Sequence, residues 1–364
     1  MSLIPTRLLN WRINSPNFDR NMVRMGEYGA LDFFVQQTNA PDGILNDRLK
    51  RAAFASMGNT VQIPVIDFDG DISISNSRSC VIEDAENTSA LYTVVFKTYA
   101  GGFTMVPALY SNNEIDYDRD FNRKMAKTIR VFADALDVDA IATLEANKTQ
   151  VFADQLQYTV TGNTIEVPIQ MATEILGDLN PIMRANGHGG QIHIIGNAGI
   201  DSLVNKLAQH GLYNDVNKQL EYAGKVFHFT NNAVNGNNVN GTFYAVADGN
   251  VGLLTRVDRE AYRRAAAAGH EFDQAYIPEL GITVGTHYYT AVGDQSGIAG
   301  DASADLTCAV KEYFGFSVDV AFIVAYNSDP ETIPDPIIKG EIAAPATDTP
   351  IAMPVYVTNA GDFA

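Results

Sequence analysis

The chain has 364 residues, of which 46% are hydrophobic and 19% are charged. This length and composition predict a folded globular protein and exclude an intrinsically disordered chain. The net charge of −18 argues against a protein that holds nucleic acid tightly through a basic surface, because that binding depends on Lys and Arg side chains placed on phosphates.

The start of the chain and its two cysteines bear on where the protein folds. The segment MSLIPTRLLNWRINSPNF contains two arginines and no apolar run of signal-peptide length. No later stretch approaches the roughly 20 apolar residues of a membrane-spanning helix. Cys80 and Cys308 lie far apart, which favours reduced thiols over a disulfide framework. We therefore expect a cytoplasmic protein without a membrane segment.

Residues 1–55 are predicted to form an arm with one or two short helices. They mix apolar bursts, LIPTRLLNW and YGALDFFVQQ, with Asn, Asp, Pro and Gly, and they keep no long helical period. Residues 1–60 carry a net charge of +2, whereas the remaining 304 residues carry −20. A weakly basic arm fits the acidic surface of a neighbouring subunit, and a plain solvated terminus is the alternative.

Residues 59–110 are predicted to be long antiparallel strands. TVQIPVIDF, DISISNSRSCVI and SALYTVVFKTYAGGFTMVPAL are rich in β-branched and aromatic residues and are separated by turn residues. In DISISNSRS, alternation places Ile72 and Ile74 on one face and serines on the other. This pattern is typical of a projecting hairpin that packs on one side.

A long helix is predicted over residues 117–147. Its apolar residues are spaced 4-4-3-4-4-4 and form one stripe: Phe121, Met125, Ile129, Phe132, Leu136, Ala140 and Leu144. Acidic residues Asp116, Asp118 and Asp120 suit the start of such a helix, where the helix dipole favours negative charge.

The rest of the chain predicts a second helix, an α/β module and a final strand pair. QLQYTVTGNTIEV indicates a hairpin, and Pro168 opens the second helix. Residues 186–300 alternate between helical and strand patterns. ADLTCAVKEYFGFSVDVAFIVAYN is predicted as a long strand pair, and the Pro-rich segment after it as an extended tail with one short strand.

In the order of these predicted elements, and in two stretches of its sequence, the chain resembles the major capsid proteins of tailed bacteriophages, which have the Hong Kong 97 fold. The two stretches are VVFKTYAGGFTMVPAL running into DRDFNRKMAKTIRVFADALDVDAIATLEANKT, and ELGITVGTHYYTA followed by EYFGFSVDVAFIV. The resemblance implies an α+β fold whose parts are an N-terminal arm (1–55), an extended β-hairpin E-loop (56–112), a long spine helix in a peripheral domain (113–180 and 301–342), an α/β axial domain (181–300) and a C-terminal tail (343–364).

The resemblance also implies a function. It implies a non-enzymatic shell subunit, without catalytic residues, cofactor or metal, that assembles as hexamers and pentamers into an icosahedral or prolate head around double-stranded DNA. The implied partners are further copies of the chain, a portal protein, a scaffold and, in some relatives, a decoration protein. Contact with the packaged DNA would be non-specific, and no membrane would be involved. The location would be the virion, after assembly in the host cytoplasm.

Several motifs suggest metal or phosphate binding, but each has a simpler explanation as an ordinary structural feature. Among six histidines, the closest pair, His188 and His193, has no acidic partner beside it, so a zinc site is not favoured. Asp67, Asp69 and Asp71 resemble a calcium loop that lacks its closing Glu, which favours a turn. Gly196 and Gly199 stand where a phosphate-binding turn would have glycines, but the third glycine is absent, which favours an ordinary strand-to-helix turn.

The sequence leaves open a role for Lys97 and two rival functions. Some relatives of the resembled family join Lys and Asn side chains covalently between subunits, and Lys97 is the only lysine between residues 51 and 123, although an exposed strand lysine is the simpler interpretation. The rival functions are an encapsulin-like compartment shell that encloses enzymes, and a small-molecule enzyme built around IIGNAG.

Overall fold

The structure is a computed structural model with two compact units. It describes residues 28–41, 43–45, 47–55, 60–66, 89–110, 114–149, 158–208, 213–214, 219–222, 224–258, 270–292, 310–325 and 336–344. Unit 1 comprises residues 1–143 and 248–329, and unit 2 comprises residues 144–247 and 330–364. Both units combine helices with β-strands, so the mixed helix-and-sheet class predicted from the sequence is confirmed.

The described helices and strands follow one another along the chain in this order: α1 (Gly29–Asn39), α2 (Asp47–Ala55), β1 (Thr60–Ile66), β2 (Ser89–Val95), β3 (Lys97–Met105), α3 (Glu114–Ala146), β4 (Thr159–Thr161), β5 (Thr164–Val167), α4 (Ile175–Ala185), β6 (Ile192–Gly196), α5 (Ala198–Ala208), β7 (Tyr213–Asn214), β8 (Gln219–Tyr222), β9 (Lys225–Phe229), β10 (Val239–Ala247), β11 (Val251–Arg256), β12 (Glu271–Ile277), β13 (Ile282–Val292), β14 (Val310–Val324) and β15 (Ile337–Ala343). Short 3-10 helices lie at Pro107–Tyr110 and Ile169–Met171.

The long helix α3 matches its prediction. It begins at Glu114, three residues before the predicted start, and ends at Ala146. All seven residues of the predicted apolar stripe are buried. In unit 1, Phe121 packs edge-on against Phe103 of β3 and Phe314 of β14, with ring centroids 5.4 and 5.2 Å apart. The 4-4-3 spacing therefore places α3 on one face of the unit 1 sheet.

Strand β14 organises that sheet, whose order is β11-β14-β13-β12 with β3 also paired to β14. One edge of β14 pairs with β3, and the other pairs first with β13 and then with β11. The predicted strand pair is wrong over the described residues, because 310–324 is one continuous strand of 15 residues. Neighbours along both edges keep the strand extended through Gly315.

Helix α1 overturns the arm prediction for its part of the chain. Leu31, Phe33 and Phe34 are fully buried, and the Phe34 ring lies 5.0 Å from that of Phe322 on β14. The backbone N–H of Leu31 donates to Oδ1 of the buried Asp137 at 2.9 Å. The apolar burst YGALDFFVQQ therefore completes the core of its own subunit. The other apolar residues predicted for the arm, Leu8, Leu9 and Trp11, lie outside the described residues.

The predicted excursion at 59–110 divides into two parts. Strands β1 and β2 pair antiparallel, with Thr60 opposite Val95 and Ile66 opposite Ser89. Strand β3, predicted as a continuation of the same excursion, is instead a strand of the unit 1 sheet. The DISISNSRS segment with Ile72 and Ile74 lies outside the described residues.

Unit 2 is built on an eight-stranded sheet in the order β4-β5-β15-β10-β6-β9-β8-β7. The predicted TGN hairpin is confirmed: Gly162 and Asn163 have φ values of 55° and 59°, as a two-residue turn of this type requires. Helices α4 and α5 contribute to one apolar cluster with the central strands, including Leu176, Leu179 and Ile194. The strand predicted in the tail is β15, which lies inside the sheet between β5 and β10.

The division into units differs from the boundaries expected for peripheral and axial domains. The expected axial region, 181–300, is cut between residues 247 and 248. The cause is strand pairing, because β10 pairs with β6 and β15, whereas β11 and β13 pair with β14. Residues 158–180, expected in the peripheral domain, lie in unit 2. Within the described ranges, no helix combines the length and apolarity needed to span a membrane.

Candidate assembly surfaces

The hairpin of β1 and β2 has one anchored face and one exposed face. Val61 and Val94 are buried and belong to an apolar cluster that includes Leu254 of β11. On the opposite face of β2, Leu91 and Val95 are 65% and 64% exposed. Successive strand residues point to opposite sides, so this face presents apolar side chains to the surroundings of the subunit. We call the exposed side chains of Leu91, Thr93 and Val95 the hairpin face.

A buried ion pair fixes the root of this hairpin. Arg256 Nε lies 3.0 Å from Asp319 Oδ2, and both side chains are only 7% exposed. The Arg256 guanidinium also lies 4.4 Å above the ring of Phe96, the residue that joins β2 to β3. The Thr98 hydroxyl donates to Asp319 Oδ1 at 2.6 Å. Two charged side chains, one from β11 and one from β14, therefore hold the chain where it leaves the hairpin.

A row of stacked rings crosses the outer face of the unit 1 sheet. Tyr313 stacks on Tyr289 with ring centroids 4.4 Å apart, and Tyr289 stacks on His270 at the same distance. The three rings are partly exposed, and they come from β14, from β13 and from the residue before β12. Phe314 faces α3, so its neighbour Tyr313 lies on the opposite face. This row is a second partly apolar surface of unit 1.

A second histidine lies beside the ring row. His270 Nδ1 and His287 Nε2 are 2.8 Å apart. Burial, with a further contribution from His270, lowers the pKa of His287 below its usual value. The lowered pKa favours the neutral form of His287, which can share a hydrogen bond with His270.

Lys97 is an exposed strand lysine held by a carboxylate of its own subunit. Its Nζ lies 2.6 Å from Asp139 Oδ2 on α3, and its side chain is 63% exposed. The same amine lies 5.3 Å from the ring centroid of Tyr99. The contact seen is a surface ion pair, which contributes little to stability. A covalent bond from Lys97 to an Asn of another subunit stays a prediction.

The turn containing Gly196 and Gly199 is filled by its own chain. A Cβ on Gly199 would lie 2.0 Å from the backbone oxygen of Asn240, so glycine is required there for close packing. Asn197 Oδ1 accepts the backbone N–H groups of Gly199 at 3.1 Å and of Thr242 at 3.3 Å. The first turn of α5 therefore packs against the chain itself, as expected for an ordinary strand-to-helix turn. These contacts favour the ordinary turn over the phosphate site on which the rival enzyme hypothesis depends.

The histidines pair differently from what their spacing suggested. His193 Nδ1 and His228 Nε2 are 3.0 Å apart, and both side chains are buried on neighbouring strands β6 and β9 of unit 2. Burial, with a further contribution from His193, lowers the pKa of His228 to about 3. Proximity in the sequence pairs His193 with His188 instead. His228 could not be found in this way, because strand pairing between residues 35 positions apart leaves no local signal in the sequence.

In the part of the chain that the structure describes, no group of three or more His, Cys, Asp or Glu side chains is placed to hold a metal ion. The aspartates of the DFDGD segment and both cysteines lie outside that part.

The chain has structural similarity to phage proteins of known structure. It is similar to a chain of Microbacterium phage Oxtober96, at 14% identity and a TM-score of 0.45, over 85% of this chain and 96% of that chain. It is similar to a chain of the cyanophage Pam1 capsid, at 12% identity and a TM-score of 0.45, over 80% and 87% of the two chains. The cyanophage P-SCSP1u capsid matches at 11% identity and a TM-score of 0.42, over 80% and 85%.

No protein-family model and no curated protein sequence matches the chain.

Proposed function

We propose that this chain is the major capsid protein of a tailed bacteriophage, a structural subunit without enzymatic activity. Many copies assemble, as hexamers and pentamers, into the icosahedral or prolate shell that encloses the double-stranded DNA genome. In this proposal β1 and β2, with the residues between them, form the E-loop. Unit 1, with the spine helix α3, is the peripheral domain, and unit 2 is the axial domain.

The observation that carries the proposal is the asymmetry of the hairpin. Its inner face is anchored by the cluster around Val94 and by the Arg256–Asp319 pair, so the hairpin has a defined position on its own subunit. Its outer face exposes Leu91 and Val95. An apolar strand face that is held in place but left uncovered is suited to burial against another copy of the chain.

The sheet surface adds a second contact of the same kind. The row of Tyr313, Tyr289 and His270 is partly exposed, and neighbouring rings in it are stacked with centroids 4.4 Å apart. Aromatic side chains are enriched at interfaces because they bury a large area at a small cost in conformational entropy. A shell subunit needs several such surfaces at once, because it contacts more than one neighbour.

The proposed partners and location follow from this function. The subunits would assemble in the host cytoplasm, with a scaffold and a portal protein, and would remain in the virion. A decoration protein on the outside is compatible with the proposal.

Imaging of the expressed full-length chain tests the proposal. By negative-stain electron microscopy, the chain alone or with its scaffold is expected to form closed shells, tubes or capsomer rings. Monomers under every salt and protein concentration would overturn it. Nucleic acid inside native particles separates a phage head from a compartment that encloses enzymes. A monodisperse monomer of 39.5 kDa with bound nucleotide would favour the enzyme hypothesis instead.

A further inference from the structure

A cavity in unit 1 is lined by helices α1 and α2 and by strands β11, β12 and β13. Its volume is about 210 Å³. The side chains of Leu253, Leu254 and Ile282 are buried and give the cavity an apolar part. Tyr276, which is 56% exposed, lies where the cavity meets solvent. We call it the Lys50 cavity, because the Lys50 side chain of α2 also lines it.

Lys50 brings a positive charge to this cavity without an ion pair to balance it. Its ammonium group donates to the backbone oxygen of Thr38, and no ion pair joins it to a carboxylate of the described residues. Lys124, Lys148 and Lys339, in contrast, each pair with a carboxylate of the same chain. An ammonium group has three N–H donors, so two donors of Lys50 remain available to a ligand.

Other polar groups of the lining are already satisfied. The Thr38 hydroxyl donates to the Phe34 backbone oxygen at 2.7 Å and accepts the backbone N–H of Leu253 at 2.6 Å. The Asn39 amide donates to the Val35 backbone oxygen at 3.0 Å. None of the described lining residues is Asp or Glu. The chemistry of the cavity therefore suits a ligand that combines an apolar group with a carboxylate.

The sequence between β1 and β2 contains such a combination. Residues 67–88 include six acidic residues and one basic residue, a net charge of −5. In the DFDGD segment, residues 67–71, Phe68 stands between Asp67 and Asp69. The second acidic group, EDAE at residues 83–86, has alanine as its one apolar residue. A cavity of about 150 Å³ can hold benzene, so the Lys50 cavity has room for the ring of Phe68.

The position of the hairpin directs this segment towards another copy of the chain. Val61 of β1 packs in one cluster with Leu254, which also lines the Lys50 cavity. At about 3.3 Å per residue, Ile66 at the end of β1 lies about 17 Å beyond Val61. The DFDGD segment therefore begins far from the cavity of its own subunit, on the part of the hairpin that is farthest from the root.

We infer that the Lys50 cavity binds the DFDGD segment of a second copy of the chain. The Phe68 ring occupies the apolar part, and Asp67 or Asp69 pairs with the Lys50 ammonium group. The inference deepens the proposed function, on which it rests, because it assigns one contact between shell subunits to a cavity and a ligand segment. The cavity thereby acts as a receptor for an acidic and aromatic peptide.

Peptide binding to unassembled full-length subunits tests the chemistry of the cavity. Fluorescence anisotropy measures the affinity of labelled IDFDGDI, which corresponds to residues 66–72. Loss of a hydrogen-bonded charge in Lys50→Gln is expected to weaken binding by about tenfold or more. The peptide IDADGDI, which lacks the ring, is expected to bind about tenfold or more weakly than IDFDGDI.

Two controls separate the cavity from general attraction of charges. Arg51→Gln removes the same charge from an exposed position next to Lys50 and is expected to keep the affinity of the unmodified chain. The peptide VIEDAEN, residues 81–87, has the same number of acidic residues as IDFDGDI and is expected to bind much more weakly. Circular dichroism establishes that both variants are folded. Equal losses in Lys50→Gln and Arg51→Gln, or equal binding of the two acidic peptides, would overturn the inference.

Zero-length cross-linking in assembled particles tests whether the segment comes from another copy. A carbodiimide activates a carboxylate, which the Lys50 amine then attacks to form an amide with loss of water. In particles assembled from equal amounts of unlabelled and nitrogen-15-labelled chains, Lys50 is expected to be joined to the 67–71 segment. About half of these cross-links are expected to join a labelled to an unlabelled peptide in mass spectrometry. Cross-links that always join peptides with the same label would place the segment in its own subunit and overturn the inference.

Shell formation, imaged separately, keeps the inference and the proposed function distinguishable. If the unmodified chain forms shells and Lys50 is joined to no carboxylate of residues 67–71, the inference fails and the shell proposal stands. Lys50-dependent binding of IDFDGDI by a chain that never assembles would support the inference and overturn the shell proposal. A chain that neither assembles nor binds the peptide would overturn both.

Discussion

Helix α1 and the β1–β2 hairpin are both apolar segments that the sequence predicted to lie outside the core, in an arm and in a projecting hairpin, and they differ in where their side chains go. Helix α1 buries Leu31, Phe33 and Phe34 in the core of its own unit. The hairpin buries one face and leaves Leu91 and Val95 more than half exposed. The apolar residues of α1 therefore stabilise the subunit, whereas those of the hairpin face are available to stabilise an assembly.

The difference follows from local pattern and from polar anchoring. The apolar residues of α1 cluster within one helix, and Gln37 and Thr38 hydrogen-bond to the backbone at Gly249 and Leu253. A strand has two faces, so alternating apolar residues on both faces of β2 leave one set without a cover inside the subunit. In a protein that assembles, each face of an apolar segment therefore has to be considered separately, because one face can stabilise the fold while the other stabilises the association.

The largest expected effect on folding is that of Phe34→Asp in α1. Loss of the buried ring costs about 3–5 kcal/mol, and the new carboxylate has no partner in that position. The total approaches the stability of a whole domain, about 5–15 kcal/mol, so the chain is expected to be insoluble. The soluble fraction after expression and urea unfolding by circular dichroism measure this.

Asn39→Asp is the control for Phe34→Asp, because it places a carboxylate on the exposed end of the same helix. It is expected to change the free energy of unfolding by less than about 1 kcal/mol. A soluble Phe34→Asp subunit with an unchanged urea midpoint would show that α1 belongs to an arm and not to the core.

The next largest effect is expected at the root of the hairpin. Asp319→Ala leaves the buried guanidinium of Arg256 without its carboxylate and removes the acceptor of Thr98, at a cost of about 3–5 kcal/mol. The double variant Arg256→Met/Asp319→Leu removes both charges and is expected to lose much less. Urea unfolding of the single and double variants measures the coupling. Equal losses in both would show that the ion pair does not fix the hairpin root.

The sequence predicted those elements whose pattern is local. The 4-4-3 spacing of α3 and the TGN turn before β5 each contain their own structural signal, and both were found within a few residues. The partners of β3, β14 and β15 depend on pairing between distant segments. For that reason the sequence assigned β3 to the excursion, divided β14 into two strands and treated β15 as part of a tail.

The candidate surfaces were less predictable than the fold. Arg256 and Asp319 are 63 residues apart, and the rings of Tyr313, Tyr289 and His270 come from separate segments. The exposure of Leu91 and Val95 likewise depends on which face of β2 the cluster around Val94 covers.

A smaller effect on stability is expected when the pH is lowered, because the buried His193–His228 pair in unit 2 consists of polar side chains that face inward. The pKa of His228 is lowered to about 3 from a usual value near 6.5, so the unfolded chain binds more protons between these values. The contribution of His228 to the free energy of unfolding is therefore fully present above pH 6.5 and declines as the pH falls towards 3. At pH 5 this group lowers the free energy of unfolding by about 2 kcal/mol relative to pH 7.

Urea unfolding at pH 7 and pH 5 measures the contribution of the pair when the chain is compared with two variants. His228→Gln is expected to lose about 2 kcal/mol less than the unmodified chain over this interval. His188→Gln, at a partly exposed position, is expected to keep the pH dependence of the unmodified chain. If His228→Gln keeps it as well, the buried pair is not its source.

The smallest effect on folding, and a large effect on assembly, is expected from Leu91→Asp/Val95→Asp on the hairpin face. Both side chains are about two-thirds exposed, so the free energy of unfolding is expected to change by less than about 1 kcal/mol. In an assembly each carboxylate would be buried against another copy without a partner, which is costly. The contact recurs in every subunit, so even a modest loss at each copy prevents closure. We expect folded, soluble subunits that form no closed shells.

Val234→Asp is a control for the hairpin variant, because Val234 is 80% exposed in unit 2 and lies outside the hairpin. It is expected to leave both folding and shell formation unchanged. Urea unfolding measures the first property and negative-stain electron microscopy the second, so the two roles of an apolar residue are read separately. If Leu91→Asp/Val95→Asp closes normal shells, the hairpin face is not an intersubunit contact. If it is as insoluble as Phe34→Asp, its apolar side chains serve folding as those of α1 do, and the distinction between the two segments fails.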